Sequence, residues 1–310
     1  MFSDKINDLF TAQLLKWELA KVNYNQLEKV KTRILDFGDF EILIQFNPER
    51  IRSSAAKVDS KSIGARPCFL CNENRPVQQR GVIFEDEFTV LINPYPIFSR
   101  HLTIPSGQHT DQRIKTNLGK MLSLAGAIPG YVIFYNGPEC GASAPDHFHF
   151  QAGNRGLMPV EKDFYTGKHT RLLSVKPGVE IWQWTNYLRS IITLKGSDKE
   201  KLINVFNHFF NKFSALQPEK PEPMLNILTY HSPEGWVIHL IPRKLHRPTR
   251  FFAEGNDQIL LSPASVDLGG LIITPREEDF NRINMDDIAD IFIQVCLDEN
   301  LLPEFFNELL

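Results

Sequence analysis

The chain has 310 residues, of which 42% are hydrophobic and 11% aromatic, enough to bury one large core or two modest ones. Lys and Arg total 34 against 37 Asp and Glu, a net charge of −3, which excludes a general electrostatic attraction to nucleic acid or to an anionic membrane. A phosphate-binding site in such a chain has to be a local arrangement. No segment reaches the roughly 18 uninterrupted apolar residues of a membrane span. Met1 to Ala20 interleaves Asp4, Lys5, Asp8, Lys16 and Glu18 with apolar residues at helical spacing, which is not the pattern of a signal peptide. The expected location is therefore cytoplasmic, where four cysteines do not make a disulfide scaffold. Cys140 and Cys296 are isolated and read as small core residues.

After this N-terminal helix, Phe40 to Phe46 reads as a strand, and Asn47 to Arg66 reads as a loop carrying Arg50, Arg52, Lys57, Lys61 and Arg66. Pro67-Cys68-Phe69-Leu70-Cys71 follows with the spacing of a metal knuckle. Phe88 to Ile92 is an expected strand ending at Asn93-Pro94-Tyr95-Pro96, and His101 to Ile104 is another. Thr110 to Leu124 has the pattern of an amphipathic helix, and Tyr131 to Tyr135 leads as a strand into the turn Asn136-Gly137-Pro138. Asn154 to Lys195 is less readable. A helix is then expected from Ser197, with Ser197 and Glu200 as a capping box. Strands at Leu225 to Tyr230 and Trp236 to Ile241 form a hairpin through Ser232-Pro233-Glu234-Gly235, and a last helix runs from about Met285 to Leu297. His101-Leu102-Thr103-Ile104-Pro105 with His109 is echoed by His239-Leu240-Ile241-Pro242 with His246, which points to two related halves.

Asp146-His147-Phe148-His149-Phe150-Gln151-Ala152 carries the chemistry. In an extended chain His147, His149 and Gln151 share one face while Phe148 and Phe150 pack on the other. Two imidazoles and an amide in a row suit phosphate or metal better than a core, where each would need its own partner. Cys68 and Cys71 supply two thiolates, and His101, His109 and His147 are the candidates to complete a tetrahedral zinc site. A set of Cys68, Cys71, His109 and His147 would be closed, holding the fold and leaving His149 free as a nucleophile. The turn from Asn136 to Ser143, rich in small residues, would let backbone approach phosphate oxygens.

The run from Asn136-Gly137 through Gly141-Ala142-Ser143 to His147-Phe148-His149-Phe150-Gln151 resembles the signature of the histidine-triad superfamily. It matches the transferase branch, which holds galactose-1-phosphate uridylyltransferases, diadenosine tetraphosphate phosphorylases and GDP-hexose phosphorylases. Pro159-Val160-Glu161-Lys162 is most similar to the last of these, and Leu268-Gly269-Gly270 and Glu278-Asp279-Phe280 look like the second half of the phosphorylases. The resemblance implies that His149 becomes nucleotidylated and Gln151 contacts a phosphate oxygen, with Cys68, Cys71, His109 and His147 as structural zinc ligands. It also implies that Asn93 contacts the sugar and that Asn136, Ser143 and Arg50 contact phosphates; Lys162 joins them through its place after the row. An amide cannot relay protons as a third His would, so the covalent intermediate would wait for inorganic phosphate or a sugar phosphate. Asp146 departs from the pattern by replacing a Pro, and the spacing from Ser143 to His147 is one residue longer.

The expected fold is α+β and histidine-triad-like, with two related halves of mostly antiparallel sheet and packed helices, a pseudo-dimer in one chain. Residues 1–165 form the catalytic half and 166–310 a non-catalytic one, from which Arg243, Lys244 and Arg247 could reach a phosphate or simply be solvated. The expected activity is nucleotidyl transfer through a covalent nucleotidyl-histidine, with phosphorolysis of a nucleoside diphosphate sugar or a dinucleoside polyphosphate foremost. Exchange of the uridylyltransferase kind, hydrolysis, and a regulatory protein that binds nucleotide without turnover are the alternatives. No nucleic acid or membrane partner is expected, and assembly into a homodimer is left open.

Overall fold

Hydrophobic alternation places strands in two sheets that sandwich one core layer. The computed structural model describes residues 1–51 and 60–306, so Arg52 and Lys57 of the basic loop lie outside the described residues. Strands β1 (Lys31–Asp36) and β2 (Glu41–Phe46) pair antiparallel. Then follow β3 (Gly81–Phe84), β4 (Phe88–Ile92), β5 (Leu102–Pro105), β6 (Tyr131–Asn136), β7 (His149–Asn154), β8 (Thr170–Lys176), β9 (Val179–Trp184), β10 (Ile192–Gly196), β11 (Leu225–Ser232) and β12 (Gly235–Pro242). These ten build one sheet in the order β3-β4-β5-β7-β6-β11-β12-β10-β9-β8, antiparallel at every join. Strand β13 (Leu271–Thr274) lies parallel to β2 and completes a second, three-stranded sheet. Among the described residues no helix is long and apolar enough to cross a membrane.

Read inward from either edge, the large sheet has one topology twice: three meandering strands, a crossing helix, then a fourth strand innermost with the fifth inserted beside it. The crossing helices are Leu118–Ala127 and Lys199–Leu216. The innermost strands β6 and β11 pair antiparallel, as a two-fold relation requires. Register then aligns individual residues. Thr103 lies opposite Gln151 and Leu91, and Thr193 lies opposite His239 and Trp182. His239 therefore occupies the place of Gln151, and Val237 that of His149. The motif echo between His101 and His239 falls on strands that do not correspond, so the repeat lies in the topology and not in that echo.

Residues alternate between two apolar layers with the strand period. Ile133, Tyr135, Phe148 and Phe150 pack with Met121 and Phe206 beneath the crossing helices, whereas Val132 and Phe134 face Ile42, Ile44 and Ile272 of the smaller sheet. The N-terminal segment forms two helices, Phe2–Lys16 and Glu18–Leu27, because Trp17 between them leaves the helical backbone (φ −118°, ψ 98°) to bury its indole. Lys199–Leu216 is capped by Asp198, whose Oδ1 accepts the Lys201 N–H at 3.1 Å, and not by the Ser197–Glu200 pair. The unreadable stretch holds the helix Pro159–Thr166 with β8 and β9.

Two fully enclosed histidines set an acid limit on this fold. Burial pulls both His101 and His239 down to about 3, from 6.5 in the unfolded chain, with the Arg50 charge adding to the effect on His101. The unfolded chain takes up protons that the folded one refuses, so their stabilising effect is complete above pH 6.5 and is lost as pH falls from there towards 3. Each is expected to cost roughly 2 kcal/mol between pH 7 and pH 5. Urea unfolding of His239→Phe should keep about that much more of its stability over this interval than the wild type; equal losses would contradict the account.

Candidate active site

His149 opens β7 where ordinary strand pairing runs out. Its neighbour across β5 is Pro105, which has no N–H to offer, and the β6 pairing begins only at Gln151. The buried side chain of Gln112 takes the place of a strand: its Oε1 accepts the His149 N–H at 2.8 Å, and its Nε2 donates to the His149 carbonyl at 2.9 Å and the Asn136 carbonyl at 3.0 Å. The Ile114 N–H is likewise turned outward, to Glu222 Oε2 at 2.6 Å. These bonds hold 109–117 out of helical shape, and the helix expected from Thr110 begins only at Leu118. Gln112→Leu should lower kcat by about 10- to 100-fold through misplacement of the nucleophile while leaving KM for the nucleotide nearly unchanged, which steady-state kinetics reads directly. An unchanged kcat would show that the strand end needs no such clamp.

The His149 ring donates from Nδ1 to the His147 carbonyl at 2.8 Å. That bond fixes the tautomer, leaving the Nε2 lone pair for the cavity that His149 lines. Burial pulls its imidazole down to about 4, so it is neutral and nucleophilic at pH 7. Gln151 is oriented in the same way. His101 Nδ1 accepts the Ile97 N–H at 3.3 Å, so its Nε2–H donates to Gln151 Oε1 at 3.1 Å, and the Gln151 NH2 group is turned from His101 as a donor. Asn136 Oδ1 accepts from Asn226 Nδ2 at 2.9 Å and the Ser265 N–H at 2.9 Å, and its remaining amide donors lie at the cavity wall.

The cavity has a volume of about 690 Å³, in the range of small-molecule sites. Arg50, Asn93, Asn136, Ser143, His149 and Gln151 all line it. Asn93 bonds Thr103 Oγ1 at 3.0 Å and accepts the Tyr95 N–H at 2.9 Å. Arg50 donates to the Tyr95 carbonyl at 3.1 Å; burial lowers it to about 10, against the pull of Asp267, so it stays cationic. Lys162 is not brought to the site: its side chain is exposed on the helix Pro159–Thr166, while its neighbour Glu161 turns inward to cap that helix. Arg243 is also not a phosphate ligand. Fully buried, it donates to Asn226 Oδ1 and to the carbonyls of Pro263, Leu245, His246 and Val295, and so fixes the support of Asn136.

Beside the cavity, Cys68 Sγ lies 3.3 Å from His147 Nδ1, and Cys71 Sγ lies 3.1 Å from His109 Nδ1 and 3.5 Å from His147 Nδ1. All four ligand atoms fall within 4.8 Å of one another; sulfur and nitrogen donors about 2.0–2.3 Å from one tetrahedral ion sit roughly 3.3–3.8 Å apart. His147 Nε2 donates to the Ser106 carbonyl at 2.9 Å, which turns Nδ1 to the two sulfurs. Asp146 lies 3.6 Å from His109 Nε2 and 3.5 Å from Arg66 Nη2, where it orients both. His101 is no part of this cluster.

Two family models cover most of the chain: "Domain of unknown function (DUF4922)" over residues 9–154 and "GDPGP1-like, C-terminal domain" over 163–307. The galactose-1-phosphate uridylyltransferase of Halalkalibacterium halodurans is 26% identical over 59% of this chain and 39% of its own length. That of Caldanaerobacter subterraneus subsp. tengcongensis is 23% identical over 88% of this chain and 56% of its own. By these matches the chain is similar to the transferase branch of the histidine-triad superfamily. The same fold is found in the yeast Ap4A phosphorylase in complex with Ap4A, which superposes with a TM-score of 0.65 at 17% identity over 96% of this chain and 97% of that one. The chain spans only about half the length of the curated relatives it matches.

Several residues of the site and of its support carried no assignment from the sequence. Gln112 carried no motif signal, and His101 drew notice only as a candidate metal ligand. Trp17, His246 and Ser262 reach the site through the fold; of these only His246 drew notice in the sequence, through the echo with His109.

Proposed function

We propose that the protein is a nucleotidyltransferase working through a covalent nucleotidyl-histidine, most readily a phosphorylase of a nucleoside diphosphate sugar or a dinucleoside polyphosphate. The observation that carries this reading is the neutral His149, its Nε2 lone pair on the cavity beside the amides of Gln151 and Asn136. Nε2 attacks the α-phosphorus, an N–P bond forms, and the bond to the bridging oxygen breaks with its electron pair leaving on the departing phosphate. The positive charge that develops on the ring is stabilised through Nδ1–H by the His147 carbonyl. The departing group is a phosphate, stable as an anion, so no general acid has to stand where Gln151 does. An acceptor phosphate oxygen then attacks the same phosphorus, and the electron pair of the N–P bond returns to Nε2.

Residues 1–165 supply the nucleophile and 166–310 complete the cavity as a half without one, since Val237 occupies the place of His149. Arg50, Asn93, Asn136 and Ser143 are the proposed substrate contacts. Cys68, Cys71, His109 and His147 would hold structural zinc, whose closed donor set fixes the segment leading into His149 and leaves no position for water. The curated uridylyltransferases support a second reading, exchange between a nucleotide sugar and a hexose 1-phosphate. Product analysis from GDP-, UDP- and ADP-sugars and from Ap4A separates them. Nucleoside diphosphate formed only when inorganic phosphate is added marks phosphorolysis, and nucleotide sugar formed only with hexose 1-phosphate marks exchange. Release of nucleoside monophosphate without either would contradict both.

A further inference from the structure

The phosphate turn of the first half abuts a cationic wall supplied by the second. Gly141, at φ +94°, backs so closely on Ala264 that a Cβ there would stand 2.6 Å from the Ala264 Cβ. Two residues before, Ser262 Oγ accepts from Arg247 Nε at 3.1 Å, and the Arg247 guanidinium lies over the Phe251 ring at 4.2 Å. Buried Arg243 ties this wall together by donating to the carbonyls of Pro263, Leu245 and His246. Arg247, His246 and Ser262 line the same cavity as His149 and Ser143. Trp17, Leu19, Leu91, Pro94 and Ile97 give that cavity an apolar stretch as well, suited to a nucleoside and not to a second phosphate. A guanidinium held against a hydroxyl and an aromatic face brings a fixed positive charge to the cavity, to which a phosphate is drawn.

We propose that Arg247, with His246 and Ser262, forms the subsite for the phosphate that leaves in the first step and for the phosphate that attacks in the second. The ligand is a phosphate dianion, supplied as inorganic phosphate or as a hexose 1-phosphate. This rests on the nucleotidyl-histidine reading. Arg247 takes no proton and forms no bond to phosphorus. It holds the attacking phosphate while one of its oxygens bonds to the phosphorus and the N–P electron pair returns to His149. The second half then acts as the acceptor wall of the site.

The test uses protein loaded as the nucleotidyl adduct and freed of donor, with discharge measured against the concentration of inorganic phosphate and, separately, of glucose 1-phosphate. Arg247→Ala is expected to load more slowly but to the same final stoichiometry. The half-saturating concentration of the discharging acceptor should rise tenfold or more, with Arg247→Lys recovering part of the loss. An unchanged half-saturating concentration in Arg247→Ala that retains the wild-type circular dichroism would overturn the subsite. If Arg247→Ala does not fold, the same comparison is made with Arg247→Lys, where a rise of less than twofold would overturn it. Wild-type protein that never loads would overturn the nucleotidyl-histidine reading itself, a separate outcome visible before any acceptor is added.

Discussion

Replacing His149 by Ala removes turnover by at least about 10⁴-fold, the scale on which loss of a covalent nucleophile acts. The substitution takes away the neutral nitrogen held at the end of β7 with its lone pair on the cavity, and neither adjacent histidine can replace it. His147 turns its Nε2 to the Ser106 carbonyl and its Nδ1 to the thiols, and His101 is bonded through both nitrogens. Nucleotide affinity should change little, because Asn136, Ser143 and Arg50 keep their places on the cavity wall. Single-turnover assays and equilibrium binding on the same preparation read the two quantities separately. A residual rate within about 100-fold of wild type would mean that the reaction does not pass through this nitrogen.

Removing the metal is expected to have the second largest effect, and on a different quantity. The Cys68–Cys71 knuckle meets the main fold through its ligand partners, His109 from the segment after β5 and His147 from the residues before β7, and through Leu70 against Ala144 and the Arg66 donation to the Ser143 carbonyl. Without the ion nothing ties the four donors together, and the strand end that carries His149 is left to the Gln112 clamp alone. Loss of a structural metal belongs to the small class of changes costing about 4–5 kcal/mol or more. For a chain of this length that corresponds to roughly 10 °C in Tm. Cys68→Ser should show it, with about one equivalent of zinc per chain in the wild type and well under half in the variant. A well-folded wild-type preparation without zinc would contradict the assignment.

Much of the site was legible because its chemistry is local in sequence. The knuckle Cys68–Cys71 and the row from His147 to Gln151 each sit within a few residues, where strand alternation and ligand spacing speak directly. The reading of one polar face needed amendment, since β7 starts at His149 and His147 stands before it, bonded to Ser106. Strands β2, β4, β5, β6, β11 and β12 were anticipated within a residue or two by their apolar runs. The helix expected from Thr110 begins only at Leu118, because the pattern before it records burial of Gln112 and Ile114, while their hydrogen bonds go to His149 and Glu222. Periodicity reports which side chains are buried and cannot report whom the backbone bonds.

Residues assembled from distant segments were the least legible. Gln112, the Asn226–Ser265 support of Asn136 and the Arg243 anchor are polar groups in the interior with partners up to 130 positions away. Buried polar groups require such partners, but only the fold names them. Lys162 shows the converse, since adjacency in sequence to the histidine row did not bring it to the cavity.

Intact-mass measurement of the wild-type protein after brief exposure to a nucleotide donor tests the central claim most directly. The expected result is a mass increase of one nucleoside monophosphate per chain that is labile to acid, absent from His149→Ala, and discharged on adding the acceptor phosphate. Turnover of that donor without any such adduct in rapidly quenched samples would contradict it.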